Sequence, residues 1–176
     1  MRVLTIEQAE KELGLSLPLK EHLNYLATRS GQRRAIVPLI PDSGKKAATA
    51  KLLSNILLLE GACVVFISGW SIWESSEILE LFYSYRKAKH DERLLTEAPI
   101  HFFTIEEAEE LASIIAIVLF FIWDATIFTH NGNALITIDH DEYMSIASRS
   151  EGTFTKLVSN LERYGYHCKY HDTLSI

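Results

Sequence analysis

Cysteine is nearly absent: the chain has two, Cys63 and Cys168, and no Cys-x-x-Cys spacing. That excludes a disulfide framework and a cysteine-built zinc site, and two cysteines in apolar, strand-like runs are expected to be buried, inert thiols. Proline is scarce too, four in 176 residues, and no stretch has the polar, proline-rich character of a linker or a disordered tail. One globular domain over residues 1–176 is the expectation at this length. Positive charge is in deficit, with 17 Lys and Arg against 23 Asp and Glu, for a net charge of −6. A nucleic-acid backbone is therefore not expected as the main partner, whereas a basic protein fits the sign. No apolar run reaches the ~20 residues that a bilayer-spanning helix needs, so no membrane is expected. The opening Met-Arg-Val-Leu-Thr-Ile-Glu-Gln lacks both a secretory segment's apolar core and a transit peptide's acid-poor composition. The expected address is the cytoplasm.

Catalytic fingerprints are missing as well. No glycine-rich dinucleotide loop, nucleophile elbow, Ser/His/Asp arrangement or His-Glu-x-x-His occurs. Ser43-Gly-Lys-Lys46 follows a strand-like run and opens a helix, yet a phosphate loop needs glycine where Leu39 stands and Ser or Thr where Lys46 stands. His167 and His171 fall on a strand-like tail, where four residues span ~13 Å, too far for one metal ion.

What the chain does have is an uncharged run at 111–123, Leu-Ala-Ser-Ile-Ile-Ala-Ile-Val-Leu-Phe-Phe-Ile-Trp, preceded by Glu106, Glu107, Glu109 and Glu110 and closed by Asp124. Thr104 and Glu107 have capping-box spacing, and glutamates suit the positive end of a helix dipole. The run reads as a central helix, apolar all round and therefore wrapped by the rest of the chain. Around it the pattern divides into four parts. Residues 1–31 are a helical lead-in, with helices near 6–13 and 18–30. Residues 34–88 read as a βαβα unit: strand 34–40, helix 45–59, strand 62–68 and helix 72–88, the last capped by Ser71 and Glu74 with Ile78, Leu81, Phe82 and Tyr85 inside. Residues 100–139 hold a short strand-like run, the central helix and a hairpin, and 140–176 hold helices at 140–148 and 154–164 with a terminal strand at 166–170. The expected fold is α/β with α+β character: a small mixed sheet of one parallel βαβ unit plus an antiparallel hairpin, around a buried central helix.

The hairpin is also where chemistry is expected. Asn131-Gly132 between two β-branched runs is a strong turn signal, and a two-residue turn there pairs Thr126 with Thr137, Phe128 with Leu135 and Asp124 with Asp139. Two opposed aspartates are unfavourable unless something compensates them. A divalent metal ion is one such compensation, with His140 and Glu142 following directly as further ligands or a base, and that set suits metal-assisted hydrolysis. Equally, Asp139 and Glu142 have the spacing of a helix cap and third position. A separate candidate surface consists of Trp70, Trp73, Lys45 and Lys46, in loops after strands 34–40 and 62–68: the tryptophans for partner contact and the lysines, at helix starts, for an anion. The absence of a catalytic signature favours a non-enzymatic, acidic, cytoplasmic protein-binding protein without a cofactor, of the immunity or antitoxin kind, that caps a basic partner. The alternative is a divalent-metal-dependent hydrolase or nuclease at Asp124, Asp139 and Glu142.

Overall fold

Short-range signals set three of the helix starts. In the computed structural model, which describes residues 1–15, 18–28, 33–70 and 76–171, Thr5 and Gln8 close the reciprocal capping box that their spacing predicts. Asp42 and Ser150 cap two further helices by accepting the amides of Lys45 and Thr153. In chain order the elements are β1 (Arg2–Leu4), α1 (Ile6–Glu12), α2 (Leu19–Thr28), β2 (Arg33–Pro38), α3 (Ser43–Leu59), β3 (Cys63–Gly69), α4 (Ser76–Ala88), β4 (Ile100–Phe103), α5 (Ala108–Phe121), β5 (Asp124–Thr129), β6 (Ala134–Asp139), β7 (Tyr143–Ser148), α6 (Glu151–Arg163) and β8 (Lys169–His171). The capping pair expected at Ser71 and Glu74 lies outside the described residues.

The strands form one eight-stranded sheet in the order β1-β4-β3-β5-β6-β7-β2-β8, and every neighbouring pair is antiparallel. The expected small mixed sheet with a parallel βαβ unit is therefore wrong. Strands β2 and β3 are not neighbours, because β5, β6 and β7 stand between them. A βαβ sequence pattern carries no information about which strand sits next to which. Here the places beside β2 and β3 are taken by β7 and β5, two ends of a β5–β6–β7 meander whose short turns cost little closure entropy.

The pleat sends alternate residues to opposite faces, and each face has its own core. Val65, Ile127, Ile136 and Ile146 point into the larger core, with Leu53 and Leu57 of α3, Leu111 to Leu119 of α5 and Leu157 and Leu161 of α6. Val64, Phe128, Leu135 and Ala147 point the other way, under Ala9 and Leu13 of α1 and Leu19 and Leu26 of α2. Each of these fully buried aliphatic side chains is worth about 1.5–3 kcal/mol relative to exposure.

The central helix is not wrapped. α5 begins at Ala108 rather than behind a Thr104 cap: Glu107 accepts the Thr104 amide at 2.8 Å, but no side chain caps the helix start. Leu111, Ile114, Ile115, Val118 and Leu119 are buried against α3 and the sheet, while Ile117 and Phe121 are half-buried and Phe120 is exposed. An apolar helix packed on a sheet needs only the stripe facing it to be covered. On α4, likewise, Phe82 is buried but Leu81 is 59 % exposed.

The helix expected at 140–148 is instead β7. Tyr143-Met-Ser-Ile-Ala-Ser148 alternates, with Met144 and Ile146 buried and Tyr143 and Ser145 exposed. Asp139 caps no helix; it opens a three-residue hairpin loop, His140-Asp141-Glu142, in which the Glu142 amide donates to the Asp139 carbonyl and Glu142 takes φ +64°. A non-glycine residue in that region costs about 1–2 kcal/mol. Glu142→Gly is therefore expected to raise the unfolding free energy by about 1 kcal/mol in urea titration, whereas a helical residue 142 would make the same change destabilising.

On β4, His101 is wholly buried, edge-on to Phe82 at 5.6 Å, and its pKa is pushed down to about 3 by burial first and by the Arg86 guanidinium second. The unfolded imidazole takes a proton below about pH 6.5 and the folded one does not, so stability is lost as pH falls from there toward 3. His101→Phe is expected to remove up to ~1.4 kcal/mol per pH unit from the pH dependence of unfolding between pH 6.5 and 5, read by denaturant titration at each pH.

Candidate functional site

The register of the sheet arranges its α1–α2 face in three cross-strand rows. Val64, Phe128, Leu135 and Ala147 form the first, which the two helices cover. Phe66, Thr126, Thr137, Ser145 and Ile36 form the second, one strand from the next. Gly69, Asp124, Asp139, Tyr143 and Pro38 belong to the third, at the end of the sheet away from the helices. Phe66 packs on the smaller core, but across β6, β7 and β2 the outer rows are open: Thr137, Ser145, Asp139 and Tyr143 are exposed and Ile36 and Pro38 are half-buried. Ile36, Thr137, Asp139, Asp141, Tyr143 and Ser145 line a groove of about 330 Å³ there, with a mostly apolar surface.

The expected hairpin register is borne out at Thr126–Thr137 and Phe128–Leu135; the ladder ends at Ala125–Ile138, and Asp124 and Asp139 flank that last pair. Asp124 is placed by a tight exit from α5. Ile122 closes that helix at φ +53°, Trp123 turns into the core, and β5 starts at the next residue. Gly69, beside a register shift in the β3–β5 ladder, leaves the room that the carboxylate occupies: a Cβ there would stand 2.7 Å from Asp124 Oδ2. Asp124 Oδ1 accepts from the His140 amide at 2.8 Å and lies 2.9 Å from His140 Nδ1, with Asp139 Oδ1 at 3.6 Å from the same nitrogen. Asp139 Oδ1 also accepts the Asp141 amide at 2.9 Å. The imidazole pKa is raised, chiefly by the hydrogen bond to Asp124, with the charges of Asp124, Asp139 and Asp141 adding to it. A protonated His140 is thus a compensating charge for the opposed aspartates.

Ligating atoms of Asp124, Asp139 and His140 lie within 4.8 Å of one another, and Glu142 is not part of that group. A metal ion bound through His140 Nδ1 has to displace the proton shared with Asp124. The other candidates are scattered. Trp70 is half-buried and packs on the larger core, Lys46 is buried and Lys45 half-buried, and Trp73 lies outside the described residues. The lysines follow β2 and Trp70 follows β3, four strand steps or ~19 Å apart across the sheet. Both cysteines are free, with burial pushing Cys63 up to about 12 and Cys168 up to about 11, so neither is a nucleophile at neutral pH.

Sequence reasoning missed Tyr143 and Ser145 because 140–148 was expected to be a helix, and Ile36 because its strand was expected beside β3 rather than β7. The signal was present in the two-residue alternation of Met144 and Ile146 after the turn-forming Asp139-His140-Asp141. No family model, no curated protein and no solved structure matches this chain.

Titration of the His140 ring protons by NMR is expected to give a pKa above that of a free histidine, falling back toward ~6.5 in Asp124→Asn. Gly69→Ala should lower it in the same direction, because the added methyl pushes the carboxylate aside; an unmoved pKa in both variants would show that the carboxylate is not what holds the proton.

Proposed function

We infer that this chain is a non-enzymatic, acidic, cytoplasmic protein-binding protein, of the kind that immunity and antitoxin proteins represent, and that its open sheet face receives a basic partner. The observation that supports this is the uncovered half of that face. Burying a sheet on one side only leaves the other side available, and here the free part carries an apolar-walled groove instead of the uniformly charged, solvated surface of an ordinary outer face. Three carboxylates, Asp124, Asp139 and Asp141, stand at its end around one imidazole. A field of that sign steers a cationic partner and disfavours an anionic one. The larger apolar surface of the groove supplies contact area, and the carboxylates at the rim supply orientation.

The test is affinity capture from the native cell with wild-type protein and with an Asp139→Lys, Asp141→Lys double variant of unchanged circular dichroism. The expected result is a basic protein held by the wild type, released by raising salt from 50 to 500 mM, and not held by the variant. Equal capture by both would sink the reading. The alternative of a divalent-metal-dependent hydrolase or nuclease makes a different forecast: saturable calorimetric binding of Mn²⁺ or Zn²⁺ to metal-stripped protein, abolished in both Asp124→Ala and Asp139→Ala.

A further inference from the structure

We propose that the groove between Tyr143 and Asp141 is an arginine-anchor site, a socket for one arginine side chain of the partner; the proposal rests on the protein-binding reading above and names what that surface recognises. Three features of the groove converge on this occupant.

The first is charge. Asp139 and Asp141 line the groove itself, and both are exposed, with Asp124 just beyond, against His140. His140 approaches Asp139 at 3.6 Å and Asp141 at 3.8 Å, so a single imidazole faces several carboxylates and a negative balance is left over. On the same face β2 carries Arg34, half-buried with its guanidinium donating to the Ala27 carbonyl, and β8 carries Lys169, paired with Ile36 and exposed. Lys169 sits one strand beyond the groove wall and three strands from Asp139, so the acidic and basic sides of the face are separated.

The second is the wall opposite the carboxylates. Tyr143 pairs with Asp139 on one side and with Pro38 on the other, and its ring is 48 % exposed on the edge of the groove. An aromatic ring next to carboxylates takes a cation over its face, and arginine is the cation that does this best, because its planar guanidinium is weakly hydrated and stacks.

The third is length. Ile36, Ser145 and Thr137 form a cross-strand row parallel to that of Tyr143 and Asp139 and two residues further in along the strands, so the groove floor runs inward from the charged end past the Ile36 side chain and the Thr137 methyl. A three-methylene stem lies along such apolar surface while its charged head reaches the rim. Lysine has a comparable stem but a compact, strongly hydrated head, which neither stacks nor grips a carboxylate through two parallel bonds. An open groove of about 330 Å³ has room for one such side chain.

The experiment uses the full chain and small probes: N-acetyl-arginine amide, N-acetyl-lysine amide and N-acetyl-citrulline amide, each titrated while the backbone amide signals of Thr137, Tyr143 and Ser145 are followed by NMR. Citrulline keeps the shape of arginine and removes its charge. The expected result is saturable millimolar binding of the arginine probe, about fivefold weaker binding of the lysine probe and none of citrulline. Tyr143→Ala is expected to weaken the arginine probe about fivefold, Tyr143→Phe to leave it unchanged, and Asp139→Asn to abolish saturation. Arginine and lysine binding equally, or an unaffected Tyr143→Ala of native circular dichroism, would overturn the arginine anchor. A decalysine peptide tells that failure from a failure of the underlying reading. If decalysine shifts the same three signals while arginine shows no preference, the anchor falls and the basic-partner surface stands; if neither decalysine nor the arginine probe shifts them, both fall.

Discussion

The register of β5 on β6 is the constraint from which the rest of the structure follows. Pairing Ala125 with Ile138 and Thr126 with Thr137 sends Ala125, Ile127, Ile136 and Ile138 to the larger core, and Phe128 and Leu135 to the smaller one. A slip of one residue would turn the threonines and aspartates under the helices and the isoleucines to water, so burial on both sides enforces one alignment. The same alignment carries Asp124 and Asp139 to the end of the hairpin, where neither core has room for them. Their proximity is a by-product of packing further in, and it is offset locally by His140.

The two faces differ in how far they are covered, and that difference is what makes one of them a candidate surface. Helices α3, α5 and α6 cover one face along its central strands. On the other, α1 and α2 are short, and α2 reaches only the Asn131-Gly132 end of the hairpin, where Leu26 lies against Gly132 and His22 beside Phe128. Sequence composition follows this division: the covered row is Val, Phe, Leu and Ala, the next row is rich in Thr and Ser, and the last carries Asp and Tyr. Antiparallel sheets tolerate such a half-wet face because alternation supplies polar residues on it.

Electrostatics separates the two buried or clustered imidazoles into opposite roles. His101, sealed under Phe82 and beside Arg86, stays neutral because burial and a like charge both disfavour its cation. His140, in water and against Asp124, has its pKa raised by the reverse balance. One residue type thus serves as a packing element in the core and as a counter-ion at the rim, according to solvent and neighbours alone.

What the sequence determined by itself was local. The capping pairs at Thr5 and Asp42, the helices they start, the hairpin turn with its register and the opposition of Asp124 and Asp139 all depend on residues a few places apart, whose geometry short-range bonding fixes. The wrong reading of 140–148 was local as well: Asp139 and Glu142 have spacing that serves a helix cap, and the pull of the β6–β7 pairing outweighed it. Strand order was decided only by the tertiary structure. A strand-helix-strand pattern is equally compatible with neighbouring and with separated strands, and only the competition among β5, β6 and β7 for the places between β2 and β3 settled it. The groove belongs to that second class, since Ile36 and Tyr143 are more than a hundred residues apart in the chain and meet only because β2 pairs with β7. Contacts of that range carry no periodic signal in the chain; they are chosen by which surfaces can be buried together, and that choice is made by the whole sheet.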